Sequence, residues 1–342
     1  RYLGNIITDT PTAPAGPYAN GAASGVWSLA EANAYTAAGL WPTAGNFEPT
    51  RGLFAGGNWA GSGTVNIIDY ITINTTGNAV DFGDLDSTIN GLTGFSSSTR
   101  GVFAGGFDTS SSSGINRIQY VTIGTTGNTS DFGDLINSPQ ATPAGLSSAT
   151  RGIVGGGYTT TGTNEIQYVT IASTGNATDF GDLTVARWYL AGTSSPTRGL
   201  FAGGNSSNVT IDYITIASTG NATDFGDLIS GGNDGGQAGA SNGTRALFAG
   251  NTAPSNQIDY VTISSTGNAS DFGNLTTSRG FAAGTSAANI NRAVFGGGGS
   301  GGAGENVIDY VTVSTTGNAT DFGDLTDARA SLAACSSGHG GL

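Results

Sequence analysis

The most chemistry-like pattern in the chain is Asp-Phe-Gly with a second carboxylate three residues after the first. It occurs at Asp81/Asp84, Asp131/Asp134, Asp179/Asp182, Asp224/Asp227 and Asp321/Asp324, and once more at Asp271 with Asn274 in second place. In a kinase such an Asp holds Mg²⁺, but that chemistry also needs a strand Lys and a His-Arg-Asp loop. This chain has no Lys, and one catalytic string has no use for six copies. The paired carboxylates also offer oxygen ligands of the kind Ca²⁺ takes. The preferred reading is structural. One Arg precedes each copy, and a guanidinium–carboxylate contact repeated along the chain would hold neighbouring units in register.

Counting excludes other chemistry. There is one His (His339), one Cys (Cys335) and no Met. Zinc, copper, haem and disulfide frameworks all need more ligands or thiols than that. The four Glu (Glu31, Glu48, Glu165, Glu305) stand at unrelated positions, so no glycosidase-like cluster is expected. The Gly run at Gly296 to Gly299 lacks the Gly-Lys-Ser/Thr ending of a phosphate loop. The Asn-x-Ser/Thr strings at Asn128, Asn176, Asn221, Asn268 and Asn318 read as link residues ahead of a strand. No catalytic residue, metal or cofactor is expected, and the chain is not read as an enzyme. Eleven Arg against 24 acidic residues give a net charge of −13. Without a basic stripe there is nothing to neutralise phosphates, so no nucleic-acid partner is expected. No apolar run approaches the roughly 20 residues that span a bilayer, so no membrane insertion is expected. The chain opens at Arg1 without Met, as a processed or partial chain would.

The elements that carry these residues repeat. The Asp-Phe-Gly intervals are 50, 48, 45, 47 and 50 residues. Before each copy comes Thr-Gly-Asn or its Gly-Asn equivalent, then upstream an Ile-x-Tyr-Ile/Val-Thr run such as Ile68 to Ile73. Further upstream lies an Arg-led apolar run ending in glycines, as in Arg51 to Gly57, Arg151 to Gly157 and Arg292 to Gly298. A small apolar segment such as Leu190 to Ser194 leads every unit after the first. These are four short strands, rich in β-branched and aromatic residues and bounded by Gly, Asn and Ser. With 59 Gly, long helices are disfavoured. The Gly-Asn link is expected to form a tight hairpin turn. Four strands at a period of 40–50 residues indicate propeller blades.

The order of strands resembles the kelch repeat. The double Gly (Gly56-Gly57, Gly105-Gly106, Gly203-Gly204) and the Tyr at 70, 120, 168, 213, 260 and 310 match its pattern. Ala186-Arg187 and Ala328-Arg329 look like its Arg, while Phe stands where kelch repeats usually carry Trp. The resemblance covers about residues 50–337. It implies an all-β, six-bladed kelch-like β-propeller with four strands per blade over residues 51–342. The first unit lacks its own leading strand, and Ala330 to Ser336 is a leading strand without a unit. The ring is therefore expected to close by its C-terminal strand.

Residues 1–50 fall outside the repeat. Ser28 with Glu31 has the form of a capping box for a short helix. This arm is expected to dock on other virion or surface proteins and to make the chain an oligomer. Gly25-Val-Trp-Ser-Leu with Trp41-Pro42, ahead of such repeats, resembles virion-associated proteins of marine phages.

Links between the first and second strands, and between the third and fourth, repeat almost verbatim. The other links vary in length and content, and in a four-stranded unit they share the opposite face. Variable loops on a rigid frame suit recognition. Trp59, Phe107, Asp108, Tyr158 and Asn205 on those loops are the candidate ligand-binding residues, for a host glycan or a protein. The resemblance implies a non-enzymatic structural or adhesive protein on a virion exterior, such as a tail fibre, tail or capsid decoration. A secreted or cell-surface lectin-like binding propeller is the alternative.

Overall fold

Each repeat forms one antiparallel sheet of four strands. The computed structural model describes residues 50–338 apart from 60–62, 138–141, 207, 230–234, 252–254, 301 and 302. The N-terminal arm with its Ser28 capping box, and His339, lie outside the described residues.

The second sheet shows the plan: Thr93–Ser96, Arg100–Ala104, Arg117–Thr122 and Ser130–Asp134 pair in that order. The third, fourth and fifth sheets begin at Ala144–Ser147, Ala191–Ser194 and Ala238–Ser241 and follow it. The sixth begins at Ala283–Ala287 and carries one extra short strand, Gly299–Ser300. In the first sheet the leading strand comes from the other end of the chain: Ala333–Ser336 pairs with Arg51–Ala55, Gly52 opposite Ser336 and Ala55 opposite Ala333. The one helical element among the described residues is a 3-10 turn at Ala288–Ile290.

The core lies between sheets. Leu53, Ile68 and Phe82 of the first sheet cluster with Phe103, Val121 and Ile123 of the second. Phe54, Ile71 and Ile73 of the first cluster with Val294, Ile308 and Phe322 of the sixth. Four further clusters join second to third, third to fourth, fourth to fifth and fifth to sixth. Strands buried on both faces lose the alternation of a half-exposed sheet. Ile68, Asp69 and Ile71 in the third strand are accordingly all buried.

The Asp-Phe-Gly copies do a structural job, though not with Arg. Between Ile68 and Asp69 the register shifts, so that Ile68 faces Gly83, Asp69 faces Asp81 and Phe82 is the extra residue of a β-bulge. The other five sheets shift at the equivalent pair. The bulged Phe82 turns inward, 2% exposed, edge-on to Tyr70. Gly83, at φ +147°, leaves room for the next unit: a Cβ there would stand 2.5 Å from the carbonyl of Gly127.

The Gly-Asn link is the other half of that contact. Gly127 donates its N–H to the carbonyl of Phe82 at 2.8 Å, and Asn128 Oδ1 accepts the N–H of Asp84 at 3.0 Å. The same two bonds join every neighbouring pair, including Gly77 to Phe322 and Asp324 to Asn78. The expected tight hairpin turn is corrected accordingly. The chain reverses earlier, where Thr75 N–H donates to Thr72 C=O, and the Gly-Asn polar groups are spent on the adjacent sheet.

The expected Arg–Asp pairing is likewise overturned. Arg51, Arg100, Arg151, Arg198, Arg245 and Arg292 lie over Tyr rings of their own sheets, 4.3 to 4.8 Å from the centroids. Each donates to a carbonyl on the following sheet, as Arg100 does to Ile171 at 2.7 Å. A planar cation can stack and donate in its own plane at once, which explains Arg rather than Lys here.

Candidate binding face

At the end of the sheets opposite the Gly-Asn links, six equivalent residues precede the leading strands: Gly91, Thr142, Tyr189, Gly236, Phe281 and Ser331. All six have positive φ, between 55° and 82°. That region costs a non-Gly residue roughly 1–2 kcal/mol, and a β-branched or bulky one is an outlier there. Thr142, Tyr189, Phe281 and Ser331 are held in it by hydrogen bonding. Gly91 N–H donates to Ser331 C=O, Thr142 to Gly91, Tyr189 to Thr142, Gly236 to Tyr189, Phe281 to Gly236 and Ser331 to Phe281, at 2.7 to 3.3 Å. The sixth bond starts from Ser331, the residue on which the first ended, so the six bonds close on themselves.

These residues border an open depression of about 420 Å³. It continues into a deeper space of about 480 Å³ lined by all six leading strands, which pass closely because Gly94, Gly145, Gly192, Gly239 and Gly284 have no side chain. A Cβ on Gly192 would stand 2.3 Å from the carbonyl of Gly145. Below this rim, serine hydroxyls link the same strands: Ser147 donates to Ser96 C=O, Ser194 to Ser147, Ser241 to Ser194, Ser96 to Ser336 and Ser336 to Ser286.

The rim is lopsided. Tyr189 and Phe281 meet edge to face at 4.9 Å, across the side-chain-free Gly236. Ser331, Gly91 and Thr142 leave the other half small and polar. Gln237, one residue below the rim, is 8% exposed, and neither its amide oxygen nor its nitrogen has a hydrogen-bond partner. Aromatic edges beside hydroxyls and a free amide suit a neutral polar ligand.

The residues singled out from sequence fall in three places. Tyr158, 42% exposed, packs edge-on against Trp188 at 5.2 Å. Asn205 reaches the same Trp188, its Oδ1 accepting the Trp188 N–H at 3.1 Å and its own N–H donating to the Trp188 carbonyl. Phe107 and Asp108 lie apart, on a small sheet with Ile89–Asn90 and Ser113–Gly114. Phe107 is partly exposed, but Asp108 is buried, and its Oδ1 accepts the N–H and hydroxyl of Ser110. Burial pushes its carboxyl up, yet these bonds and those from Ser87 and Ser111 outweigh it and hold it below the ordinary value. Asp108 shapes its loop. Trp59 lies on the short strand Asn58–Trp59, and its side chain is outside the described residues.

Sequence reasoning missed Trp188, Tyr189, Phe281 and Gln237. The signal was present in the residue ahead of each leading strand, which is aromatic in two repeats and small or Thr in four.

The chain matches no model of a known protein family, and no curated protein matches it.

Proposed function

We propose that the chain is a six-bladed kelch-type β-propeller closed by its C-terminal strand. We further propose that it acts as a non-enzymatic adhesive or structural protein on a virion exterior, with a glycan seated at the rim of its central depression. Three sets of contacts support the ring: the six cores between sheets, the six Gly-Asn clasps that include Gly77 to Phe322, and the rim bonds that return to Gly91. The observation that carries the binding role is the rim itself. Four non-Gly residues are kept at costly positive φ, two of them aromatic and paired, at the mouth of a space that all six leading strands line. Strain held in this way gathers where a surface is preorganised.

The test is a glycan array probed with the whole chain, alongside Tyr189→Ala and Phe281→Gly. Binding by the wild type and its loss in both variants, each still folded, supports the rim. Binding that survives both substitutions refutes it. Light scattering with and without residues 1–50 separates the virion reading from the secreted lectin-like one. An oligomer dispersed by the deletion favours the first, and a glycan-binding monomer the second.

A further inference from the structure

The aromatic side of the rim continues outward from the central depression. The residue ahead of each rim position is Asn90, Ala141, Trp188, Gly235, Gly280 or Ala330. Trp188 alone is bulky, and it stands next to Tyr189. Two units hold it in place. Asn205, in the fourth, bonds both the backbone N–H and the carbonyl of Trp188. Gly162, bridged to Tyr158 in the third, packs on the indole, where a Cβ would stand 2.8 Å from Cε3 and Cζ3. Tyr158 meets the same indole edge to face at 5.2 Å and keeps 42% of its surface exposed.

Tyr158, Trp188, Tyr189 and Phe281 thus make one arc of partly exposed rings, two edge-to-face pairs joined by the peptide bond between Trp188 and Tyr189. The gap in the arc is Gly235-Gly236, bare backbone packed on Tyr189: a Cβ on Gly235 would stand 2.5 Å from the Tyr189 carbonyl. Glycine in such a place lets a ligand approach the main chain closely. Exposed apolar surface gathered in one place marks a binding surface. The polar groups beside it are neutral. Asn205 Nδ2 donates to the hydroxyl of Ser206, which is exposed and held at φ +62°. Arg187, just before Trp188, is buried against Asp212 at 2.9 Å, and the second sheet has Ile89 and Gln119 in their places. The residues that line the depression carry no charge.

We infer that the arc is an extended groove for a neutral oligosaccharide bound by its end. The terminal unit sits in the depression against Tyr189 and Phe281, and the following units leave over Trp188 and Tyr158. This rests on the glycan reading of the rim and adds a second subsite and a chain direction. Aromatic rings offer apolar faces to the C–H faces of sugars, while Asn205 and Ser206 meet hydroxyls. With no cation along the arc and a net charge of −13, an anionic glycan is repelled.

The full chain is titrated, by ligand-observed NMR, with linear α-1,4-glucan, β-1,4-glucan, β-1,4-mannan and β-1,4-N-acetylglucosamine series from monosaccharide to hexasaccharide. In a responding series the affinity should rise about tenfold from monosaccharide to trisaccharide, the factor of an added aromatic contact, and then level off. Tyr158→Ala and Trp188→Ala should abolish that rise and leave monosaccharide binding unchanged. Circular dichroism reports folding, and the exposed Tyr158 keeps the test alive should Trp188→Ala fail to fold. Equal affinity at all lengths, or a rise that survives in folded Tyr158→Ala, overturns the inference and leaves the rim reading standing. No response in any series, or saturable binding of a decaproline peptide in its place, overturns both.

Discussion

Arg292 Nη1 donates to the carbonyl oxygen of Ile73 at 2.8 Å, across 219 residues of chain. The guanidinium also lies over the Tyr310 ring at 4.5 Å. It is the same contact that Arg100 makes with Ile171 between consecutive sheets, here made between the last unit and the first. Arg292→Ala should therefore cost the whole chain about 2 kcal/mol, a hydrogen bond to a charged group plus a stacked cation. Arg292→Lys should recover only part of it, since an ammonium cannot stack and reach the carbonyl together. Urea denaturation of the three proteins checks the ranking.

Gly133 and Gly127 separate two reasons for glycine. Both have positive φ, +145° and +156°. A Cβ on Gly133 would stand 2.5 Å from Gly175 C=O, whereas one on Gly127 meets nothing within 4 Å. Gly127→Ala should cost about 1 kcal/mol for backbone conformation alone. Gly133→Ala should cost at least about 3 kcal/mol or prevent folding, because the docked backbone cannot move aside. Thermal melts of the pair measure the difference.

The buried pair of Arg187 and Asp212 should behave as a unit. Desolvation lowers the Arg187 pKa, against the pull of Asp212. Arg187→Ile alone leaves Asp212, 0% exposed, without its cation and should lose about 3–5 kcal/mol. Adding Asp212→Gln reproduces the Ile89 and Gln119 combination of the second sheet and should restore most of the loss. A double-mutant cycle in denaturant reads this coupling, and additive losses would contradict it.

Asp259 should make stability depend on pH in an unusual direction. Burial raises its pKa from 3.8 to about 6, with the charge of Asp271 on the paired strand adding to it, against hydrogen bonds from Ile229 and Gln257. The folded state then holds a proton that the unfolded chain releases near pH 4. Stability from this group is fully present below pH 4 and is lost as pH rises through about 6. The loss between pH 4 and pH 7.5 should be on the order of 2 kcal/mol. Asp259→Asn should remove that contribution from the measured pH profile.

Cys335 reports on the pairing of the C-terminal strand. Its side chain is fully buried between Leu53 and the second sheet, and burial pushes the thiol up to about 12. A disulfide reagent at pH 8 should leave it unmodified in the folded chain and label it fully in urea. Leu53→Ala should cost about 2–5 kcal/mol and speed native-state labelling. Prompt labelling of the native wild type would mean that Ala333–Ser336 readily leaves Arg51–Ala55.

Much of the architecture was legible because it is repeated. Alternating Gly and β-branched runs locate four strands in each unit, and the unpaired segment at Ala330 to Ser336 shows its need for a partner. The roles of Asp-Phe-Gly and of the repeated Arg were not legible. Six copies of each suggest that the two should pair, whereas the bulge at Phe82 and the stack of Arg100 on Tyr120 depend on register and on the adjacent sheet. Of the chosen loop residues, Tyr158 and Asn205 meet at Trp188, but Asp108 turns inward, because a short acidic side chain beside Ser110 has hydrogen bonds close at hand.

Composition and period alone determined an all-β chain of repeated four-stranded antiparallel sheets, since propensity and turn chemistry act over a few residues and recur with the repeat. Only the tertiary structure decided which groups meet: Gly77 with Phe322, Tyr189 with Phe281, Arg187 with Asp212, and Asp259 with no Arg among the described residues. Those contacts join one sheet to another. Each depends on how a neighbouring backbone approaches, and no local pattern of residues encodes that distance.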